Sequence, residues 1–281
     1  MFRVINKDLR VNDSKLQRIA ELLKISGQVH VPFIVGGLGP ASQIPFLEYL
    51  LKYNSKAASD QDHIGYMLAN TTPLPDRTTA LKQRQSGDDS LYREIERAIL
   101  AFAIHAHKQG FSSISFICNT IHAWRDELQP KMPIPWVSLM DATVQTIQEE
   151  YPQTKRIGIL ETDGVLITGL YTRTIRQNNL GPINLKLNSS QQNAVMDAIY
   201  NKRYGIKATG VVVSQNAVKI LQSAAGYLVQ QGAEVIVVGC TEIPLALNKQ
   251  TYNEIHIIDP VSCLAKTLLK LAMNKSTHRL Y

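Results

Sequence analysis

Two short segments of the chain share one pattern, and that pattern constrains the fold more than any other feature of the sequence. In each segment a glycine preceded by glutamine stands eight residues before a cysteine, and an apolar run rich in β-branched residues leads into that cysteine. The first segment runs from Gly110 to Cys118 and the second from Gly232 to Cys240. Such runs are typical of buried parallel strands. Both thiols are therefore expected at the carboxyl ends of strands, where open α/β sheets place their ligand sites.

Strand-like runs alternate with amphipathic helical patterns along the chain, which predicts an α/β fold with mostly parallel sheets flanked by helices. The predicted strands span residues 29–35, 65–69, 114–117, 136–139, 157–160, 183–187, 235–238 and 255–258. The predicted amphipathic helices include residues 12–27, 90–108 and 214–230.

The two halves of the chain resemble each other beyond the cysteine segments. Each half opens with a predicted strand that leads into a glycine-containing loop, and a further predicted strand follows each cysteine. We therefore expect two pseudo-symmetric lobes, with the functional site in the cleft between them. The N-terminal lobe is expected to span residues 1–135, with residues 255–281 packing back on it, and the C-terminal lobe residues 136–254.

Composition excludes several classes of protein. The 281-residue chain is 44% apolar and 19% charged, as in ordinary globular domains, and it lacks the run of about 20 apolar residues that a membrane-spanning helix needs. Lys and Arg outnumber Asp and Glu by 30 to 23, and the net charge of +7 attracts anions. No basic block or nucleic-acid motif accompanies this charge, so neither nucleic acid nor membrane is an expected partner. The charged first residues predict no secretory signal, hence a cytoplasmic protein whose three cysteines are free thiols.

Two thiols at matched strand ends are compatible with more than one chemistry. A disulfide is disfavoured in the cytoplasm, a metal site would need further ligands at close spacing, and a lone cysteine is often merely buried. Here short polar side chains follow each thiol, Asn119 and Thr120 in one segment and Thr241 and Glu242 in the other. Strand-to-helix turns of this kind bind carboxylates and favour a thiolate that acts as a base. Two such thiols on opposite faces of one carbon could invert a stereocentre.

Seven motifs in a fixed order support a family resemblance that no single one of them would establish. They are residues 36–40 (GGLGP), 60–63 (DQDH), 75–78 (PDRT), 118–122 (CNTIH), 162–164 (TDG), 239–244 (GCTEIP) and 258–260 (IDP). On these motifs the chain resembles the cofactor-independent aspartate/glutamate racemase family, from about residue 29 to residue 272. It departs from that family in the residues 1–28 before the first strand and in Leu38, where methionine is common.

The resemblance implies roles for particular residues. Cys118 and Cys240 would be the two acid/base thiols, with Cys240 acting on the L substrate and Cys118 on the D substrate, and neither pyridoxal phosphate nor a metal would be used. The implied substrate-binding residues are Gly37, Arg77, Asn119, Thr120, Thr241 and Lys207. Lys202 lies close enough in the sequence to leave the matching lysine undecided. The residues expected to support the site are His122, Asp163 and Glu242.

The resemblance favours a homodimeric racemase that interconverts L- and D-aspartate. Glutamate racemases typically carry histidine where this chain has Glu242, and the motif that contains Arg77 is of the aspartate type. A glutamate racemase, a broader amino-acid racemase, and relatives that isomerise maleate or decarboxylate malonates remain alternatives. A two-lobed protein that binds a small anion without chemistry is the alternative from a different functional class.

Overall fold

Two mostly parallel sheets, one in each half of the chain, form the framework of the structure. The computed structural model describes residues 18–25, 27–247, 251–252 and 254–273. Of the helix predicted over residues 12–27, the described part contains a single turn, α1 (Ile19–Leu22), and the part before residue 18 lies outside the described residues. Within the described ranges, no helix combines the length and the apolar character needed to cross a membrane.

The first sheet has three parallel strands in the order β2-β1-β3. They are β1 (Pro32–Gly36), β2 (Met67–Asn70) and β3 (Ser113–Phe116). Every residue of β1 and β3 is buried, as expected of strands that are covered on both faces. Cys118 follows β3 after one residue, so its thiol lies at the carboxyl end of that strand.

The second sheet repeats this order and adds two strands. Its strands are β4 (Arg156–Glu161), β5 (Gly181–Asn184), β6 (Val235–Gly239), β7 (Thr251–Tyr252) and β8 (Ile255–Ile258). They lie in the order β5-β4-β6-β8-β7, and only β7 is antiparallel to its neighbour. In both sheets the first strand lies between the second and the third, so β3 corresponds to β6. The expected pseudo-symmetry is confirmed, and Cys240 directly follows β6 as Cys118 follows β3.

Helices cover the sheets. In the first half they are α2 (Gln43–Tyr53), α3 (Arg77–Gln85), α4 (Ser90–Lys108) and α5 (Arg125–Leu128), with 3-10 turns at Pro40–Ser42, Asp60–Asp62, Thr120–Trp124 and Gln129–Lys131. In the second half they are α6 (Leu139–Glu150), α7 (Asp163–Thr168), α8 (Leu170–Gln177), α9 (Ser190–Tyr200), α10 (Ile206–Thr209), α11 (Gln215–Gln230), α12 (Ile243–Ala246) and α13 (Pro260–Met273). The helix predicted over residues 90–108 is confirmed as α4, and that over 214–230 as α11, with Ser214 as its N-cap.

Two strand predictions need correction. The prediction over residues 136–139 is wrong beyond Trp136, which forms a single parallel bridge with Ile114. The chain then enters α6, because the Ser138 hydroxyl accepts a hydrogen bond from the backbone N–H of Asp141 at 3.1 Å and caps that helix. The strand predicted over residues 183–187 instead spans β5, two residues earlier.

Helix α13 connects the two lobes. It packs against α2 of the first lobe and against α6, and the apolar side chains between them form one core. Separate cores lie under α4 in the first lobe and under α11 in the second. Strand β8 belongs to the second sheet, so the described part of residues 255–281 returns to the first lobe only through its helix.

Candidate active site

One pocket receives the strand ends of both lobes, and both predicted thiols line it. Cys118 and Cys240 are each 5% exposed, and the pocket is narrow, with a cavity volume of about 10 Å³. The first lobe contributes Leu38, Asp76, Arg77, Thr78, Cys118, Asn119 and Thr120. The second lobe contributes Thr162, Tyr200, Lys207, Cys240, Thr241 and Glu242.

The backbone at Cys118 is held by His122. The Nε2 atom of His122 accepts hydrogen bonds from the Trp136 indole N–H at 3.2 Å and from the Leu139 backbone N–H at 3.1 Å. Its Nδ1 therefore carries the proton and donates it to the Cys118 carbonyl at 2.9 Å. Burial lowers the pKa of His122 to about 3, so the ring is neutral. His122 lies outside the pocket lining and positions Cys118 through its backbone.

Asn119 presents an unsatisfied donor. Its Oδ1 accepts a hydrogen bond from the Tyr171 hydroxyl at 2.5 Å, which fixes the orientation of the amide. Its Nδ2 is buried without a hydrogen-bond partner among the described residues, and the side chain lines the pocket. A buried donor without a partner costs free energy, so this position favours a ligand with an acceptor.

Arg77 begins α3 and is 7% exposed. Its Nη1 donates to the carbonyls of Pro75 at 3.0 Å and Leu74 at 3.4 Å, and its Nη2 donates to the Leu38 carbonyl. Its Nε has no hydrogen-bond partner in the described structure. Burial opposes the charge of the guanidinium, but Cys118, Asp76 and Tyr200 together outweigh this effect, and the pKa of Arg77 is raised. The backbone thus fixes a permanent cation beside Cys118.

A carboxylate lies beside the second thiol. The Cys240 thiol and the Thr241 hydroxyl both donate to Oε2 of Glu242 at 3.1 Å. The Lys207 ammonium donates to Oε1 of the same carboxylate at 2.9 Å. Glu242 is 4% exposed, so its contacts with Cys240 and Thr241 are shielded from water, whereas a quarter of the Lys207 side chain is exposed. The result is a connected group of acid, thiol and amine around Cys240.

The charges of this group determine which form of Cys240 the structure favours. Burial and the Glu242 carboxylate raise the pKa of the Cys240 thiol well above its usual value. Burial disfavours an ionised Glu242, yet Lys207 and the other donors outweigh it, and the pKa of Glu242 is lowered. Burial likewise opposes the ammonium of Lys207, but Glu242 raises its pKa. Cys240 is therefore a neutral thiol that can donate a proton.

The fold brings Lys207 into the pocket and leaves Lys202 exposed outside it. Gly37 also lies outside the lining. It has a φ of +82°, and a Cβ there would lie 2.0 Å from Asn70 Oδ1 and 2.6 Å from the Thr71 backbone nitrogen. Gly37 therefore allows a tight turn against the loop after β2, and the following Leu38 is the residue that reaches the pocket.

Asp163 connects the lobes and does not line the pocket. Its Oδ2 contacts the Lys82 ammonium of α3 at 2.5 Å, and its Oδ1 accepts from the Gln192 amide at 2.9 Å. Thr120 makes a second connection, since its hydroxyl lies 3.3 Å from that of Thr162. The contacts of Asp163 with Lys82 and of Thr162 with Thr120 cross from one lobe to the other, next to the two strand ends.

Several lining residues were not predicted from the sequence. Asp76 and Thr78 lie within a motif that the sequence analysis singled out, so their position beside Arg77 was a usable signal. Thr162 likewise lies within one of the seven motifs, at residues 162–164. Tyr200 gave no such signal, because its place in the pocket depends on how the second lobe packs against the first. Among the described residues, no group of three or more His, Cys, Asp or Glu side chains is arranged to hold a metal ion.

Comparison with known proteins gives a consistent result. Residues 35–268 match the family model described as Asp/Glu/Hydantoin racemase. Over 236 residues the chain is 25% identical to the broad specificity amino-acid racemase RacX of Bacillus subtilis (strain 168), an alignment that covers 83% of this chain and 94% of the relative.

Solved structures share the fold. The Picrophilus torridus aspartate racemase superposes with a TM-score of 0.69 at 24% identity, covering 88% of this chain and 96% of that one. The glutamate racemase isoform RacE1 from Bacillus anthracis gives a TM-score of 0.59 at 12% identity, covering 87% and 82%. The fold is thus shared with racemase structures. Since the family model spans well over half of the sequence, the chain is an amino-acid racemase that belongs to the Asp/Glu/hydantoin racemase family.

Proposed function

We propose that the enzyme interconverts L- and D-aspartate by a two-base mechanism in which Cys118 and Cys240 are the paired acid and base, without pyridoxal phosphate. The observation that carries the proposal is that both thiols, at corresponding strand ends of two similar lobes, line one pocket. Each thiol approaches the pocket from its own lobe. A substrate between the lobes would therefore present opposite faces to the two sulfur atoms.

The proton transfers balance without an added reagent. A thiolate on one side removes the α-proton, the electron pair is left on the α-carbon, and the thiol on the other side delivers its own proton to the opposite face. Cys240, as a neutral thiol beside Glu242, is in the form that delivers a proton. In this form the enzyme converts D-aspartate to L-aspartate, with Cys118 as the base. The reverse reaction needs a Cys240 thiolate and a Cys118 thiol.

The pocket offers anchors for both carboxylates of the substrate. Asn119 Nδ2 and Arg77 Nε are buried donors that find no hydrogen-bond partner within the described part of the chain, and acceptor oxygens would satisfy them. Thr241 and Thr120 add hydroxyl groups at the N-termini of the turns that follow each thiol. Lys207 supplies a second cation, at present paired with Glu242. We assign the α-carboxylate to Asn119 and its neighbours and the side-chain carboxylate to Arg77 and Lys207.

The proposal extends to location and assembly. The proposed mechanism needs Cys118 and Cys240 as free thiols, which persist in a reducing compartment, and we place the enzyme in the cytoplasm. The homodimer expected from the resemblance remains a prediction, and light scattering on the purified protein would test it.

Hydrogen exchange at the α-carbon tests the reaction. The protein is incubated with L-aspartate in deuterated water without pyridoxal phosphate, and both label and chirality are followed. The proposal expects deuterium at the α-carbon together with D-aspartate. A two-lobed binding protein without chemistry would give neither product, and the same run with glutamate tests the glutamate racemase alternative.

A second candidate is a racemase of broad substrate range. It is favoured by the similarity to RacX and by the charge balance of the pocket, where two carboxylates, Asp76 and Glu242, face two cations, Arg77 and Lys207. A pocket without excess positive charge favours a dianionic substrate less strongly. Comparing kcat/KM for aspartate with that for alanine, methionine and lysine distinguishes the two candidates.

A further inference from the structure

We propose that Tyr200 sets the upper limit on the length of the substrate side chain and closes the pocket at that end. This inference rests on the proposed function, in which Arg77 and Lys207 hold the side-chain carboxylate. Of the lining residues that the structure describes, Tyr200 is the one aromatic side chain. It is the last residue of α9 and so belongs to the second lobe.

The hydroxyl of Tyr200 is anchored on the opposite lobe. It donates to Asp76 Oδ2 at 3.2 Å and lies 3.3 Å from the Thr78 hydroxyl. The other oxygen of Asp76 caps α3, because Oδ1 accepts from the Thr79 backbone N–H at 2.9 Å. One carboxylate thus holds both a helix N-terminus and the phenol, so the ring is fixed across the cleft.

The ring of Tyr200 lies beside the two proposed side-chain anchors. The Lys207 ammonium is 5.3 Å from the ring centroid, within the range of a cation–π contact. Arg77 directly follows Asp76, the residue that holds the phenol. A carboxylate bound between Lys207 and Arg77 would therefore have the tyrosine ring next to it, and on the proposed assignment this carboxylate is that of the substrate side chain.

An aromatic ring that is fixed at this place discriminates between substrates by the length of their side chains. The α-carbon must stay between two sulfur atoms, so a longer side chain can gain room only by moving the ring or by folding. The ring cannot move without breaking its hydrogen bonds to the first lobe. One methylene in such a pocket is typically worth roughly 10–200-fold in kcat/KM. The prediction is a preference for aspartate over glutamate that depends on this ring.

Three variants separate the effect of the Tyr200 ring from that of its hydroxyl group, which bonds to the first lobe. Tyr200→Ala removes both, Tyr200→Phe keeps the ring and removes the hydroxyl, and Tyr204→Ala is the matched control. Tyr204 also bonds an aspartate, Asp197, but it lies in the same lobe as that partner and does not line the pocket. The readout is the ratio of kcat/KM for glutamate to kcat/KM for aspartate. We expect this ratio to rise at least about tenfold in Tyr200→Ala, to rise by a smaller factor in Tyr200→Phe, which keeps the ring but frees it from the first lobe, and to stay at the wild-type value in the control.

An equal loss for both substrates in Tyr200→Ala, with the ratio unchanged, would overturn the proposal and leave Tyr200 with a structural role. If that variant does not fold, Tyr200→Leu provides the same test with a smaller cavity. A wild-type protein that racemises neither acid would refute the proposed function instead. The size limit is then tested on the substrates that the wild type does racemise, as the ratio of a longer to a shorter amino acid.

Discussion

His122 makes stability depend on pH in a way that a single substitution can isolate. The imidazole is 2% exposed, and its pKa is lowered by burial to about 3 from an ordinary value of 6.5. The unfolded chain therefore binds a proton near pH 6.5 that the folded protein does not accept until about pH 3. Since the unfolded state binds more protons, the stabilisation is fully present above pH 6.5 and is lost as the pH falls from there toward 3.

The size of the loss follows from the two pKa values. Between pH 7 and pH 5 the unfolded histidine goes from mostly neutral to mostly charged, while the folded one stays neutral. The difference in bound protons between the unfolded and folded states, integrated over this pH range, comes to about 1.4. This difference lowers the free energy of unfolding by about 2 kcal/mol between pH 7 and pH 5. Both pH values lie well above the folded pKa of about 3, so this magnitude depends almost entirely on the ordinary value.

The perturbation is His122→Gln, and the assay is urea denaturation at pH 7, 6 and 5. The variant is expected to be less stable at pH 7, because it loses part of the hydrogen bonding to Trp136, Leu139 and Cys118, but it should lose about 2 kcal/mol less than the wild type on going to pH 5. Other buried groups, such as Glu161 and Asp259, titrate in both proteins and cancel in the difference. The exposed His107 supplies the control His107→Gln, which should follow the wild type. A parallel loss in the wild type and in His122→Gln would show that buried His122 is not the source of this pH dependence.

Two further predictions concern the proposed chemistry. Cys118→Ala and Cys240→Ala should each lower the rate of racemisation by at least about 10²-fold, because every turnover needs both groups; circular dichroism would show that the fold is kept, and a native rate in either variant would contradict the two-base mechanism. Arg77→Lys should lower kcat/KM for aspartate by about tenfold or more although the charge is kept. The guanidinium makes several directed hydrogen bonds at once, to backbone carbonyls and to the substrate, and an ammonium cannot reproduce them. An unchanged kcat/KM would show that Arg77 does not bind the substrate.

The sequence was most informative where a residue's environment follows from local pattern. Buried apolar runs after a glycine located β3 and β6, and the residue that ends each run is the cysteine in the pocket. The helix over residues 90–108 was predicted with the bounds of α4, since its apolar positions recur over five turns. Short segments were predicted less well. The apolar run at 136–139 suits strand or helix equally, and the cap at Ser138 decides for the helix.

Side-chain partners that come from the other lobe could not be predicted from the sequence. Tyr200 lies at the end of an ordinary amphipathic helix, and only the packing of the lobes brings its hydroxyl to Asp76. Asp163 sits in a motif of the family, yet its carboxylate is taken up by Lys82 of the other lobe and does not reach the pocket. Within the first lobe, His122 acts through the backbone carbonyl of Cys118, and no spacing rule would reveal this contact either.

The similarity of the two lobes does not extend to the surroundings of the two thiols, and the proposed reaction uses that difference. Cys240 donates to the carboxylate of Glu242, whereas Cys118 interacts with the guanidinium of Arg77. A two-base racemase holds one thiol and one thiolate at a time. Burial and the carboxylate next to the Cys240 sulfur raise the pKa of that thiol and so bias the proton toward Cys240.

Lys207 limits this bias, because its ammonium lies 2.9 Å from Glu242 and partly neutralises it. Lys207→Ala should therefore leave the proton on Cys240, so that the form of the enzyme that deprotonates L-aspartate becomes rare. We expect kcat for L-aspartate to fall as KM rises, and the alkaline limb of the pH profile to move to higher pH. Loss of a substrate anchor alone would raise KM and leave that limb in place. Lys202→Ala, which removes an exposed lysine outside the pocket, is the matched control and should retain wild-type kcat and KM.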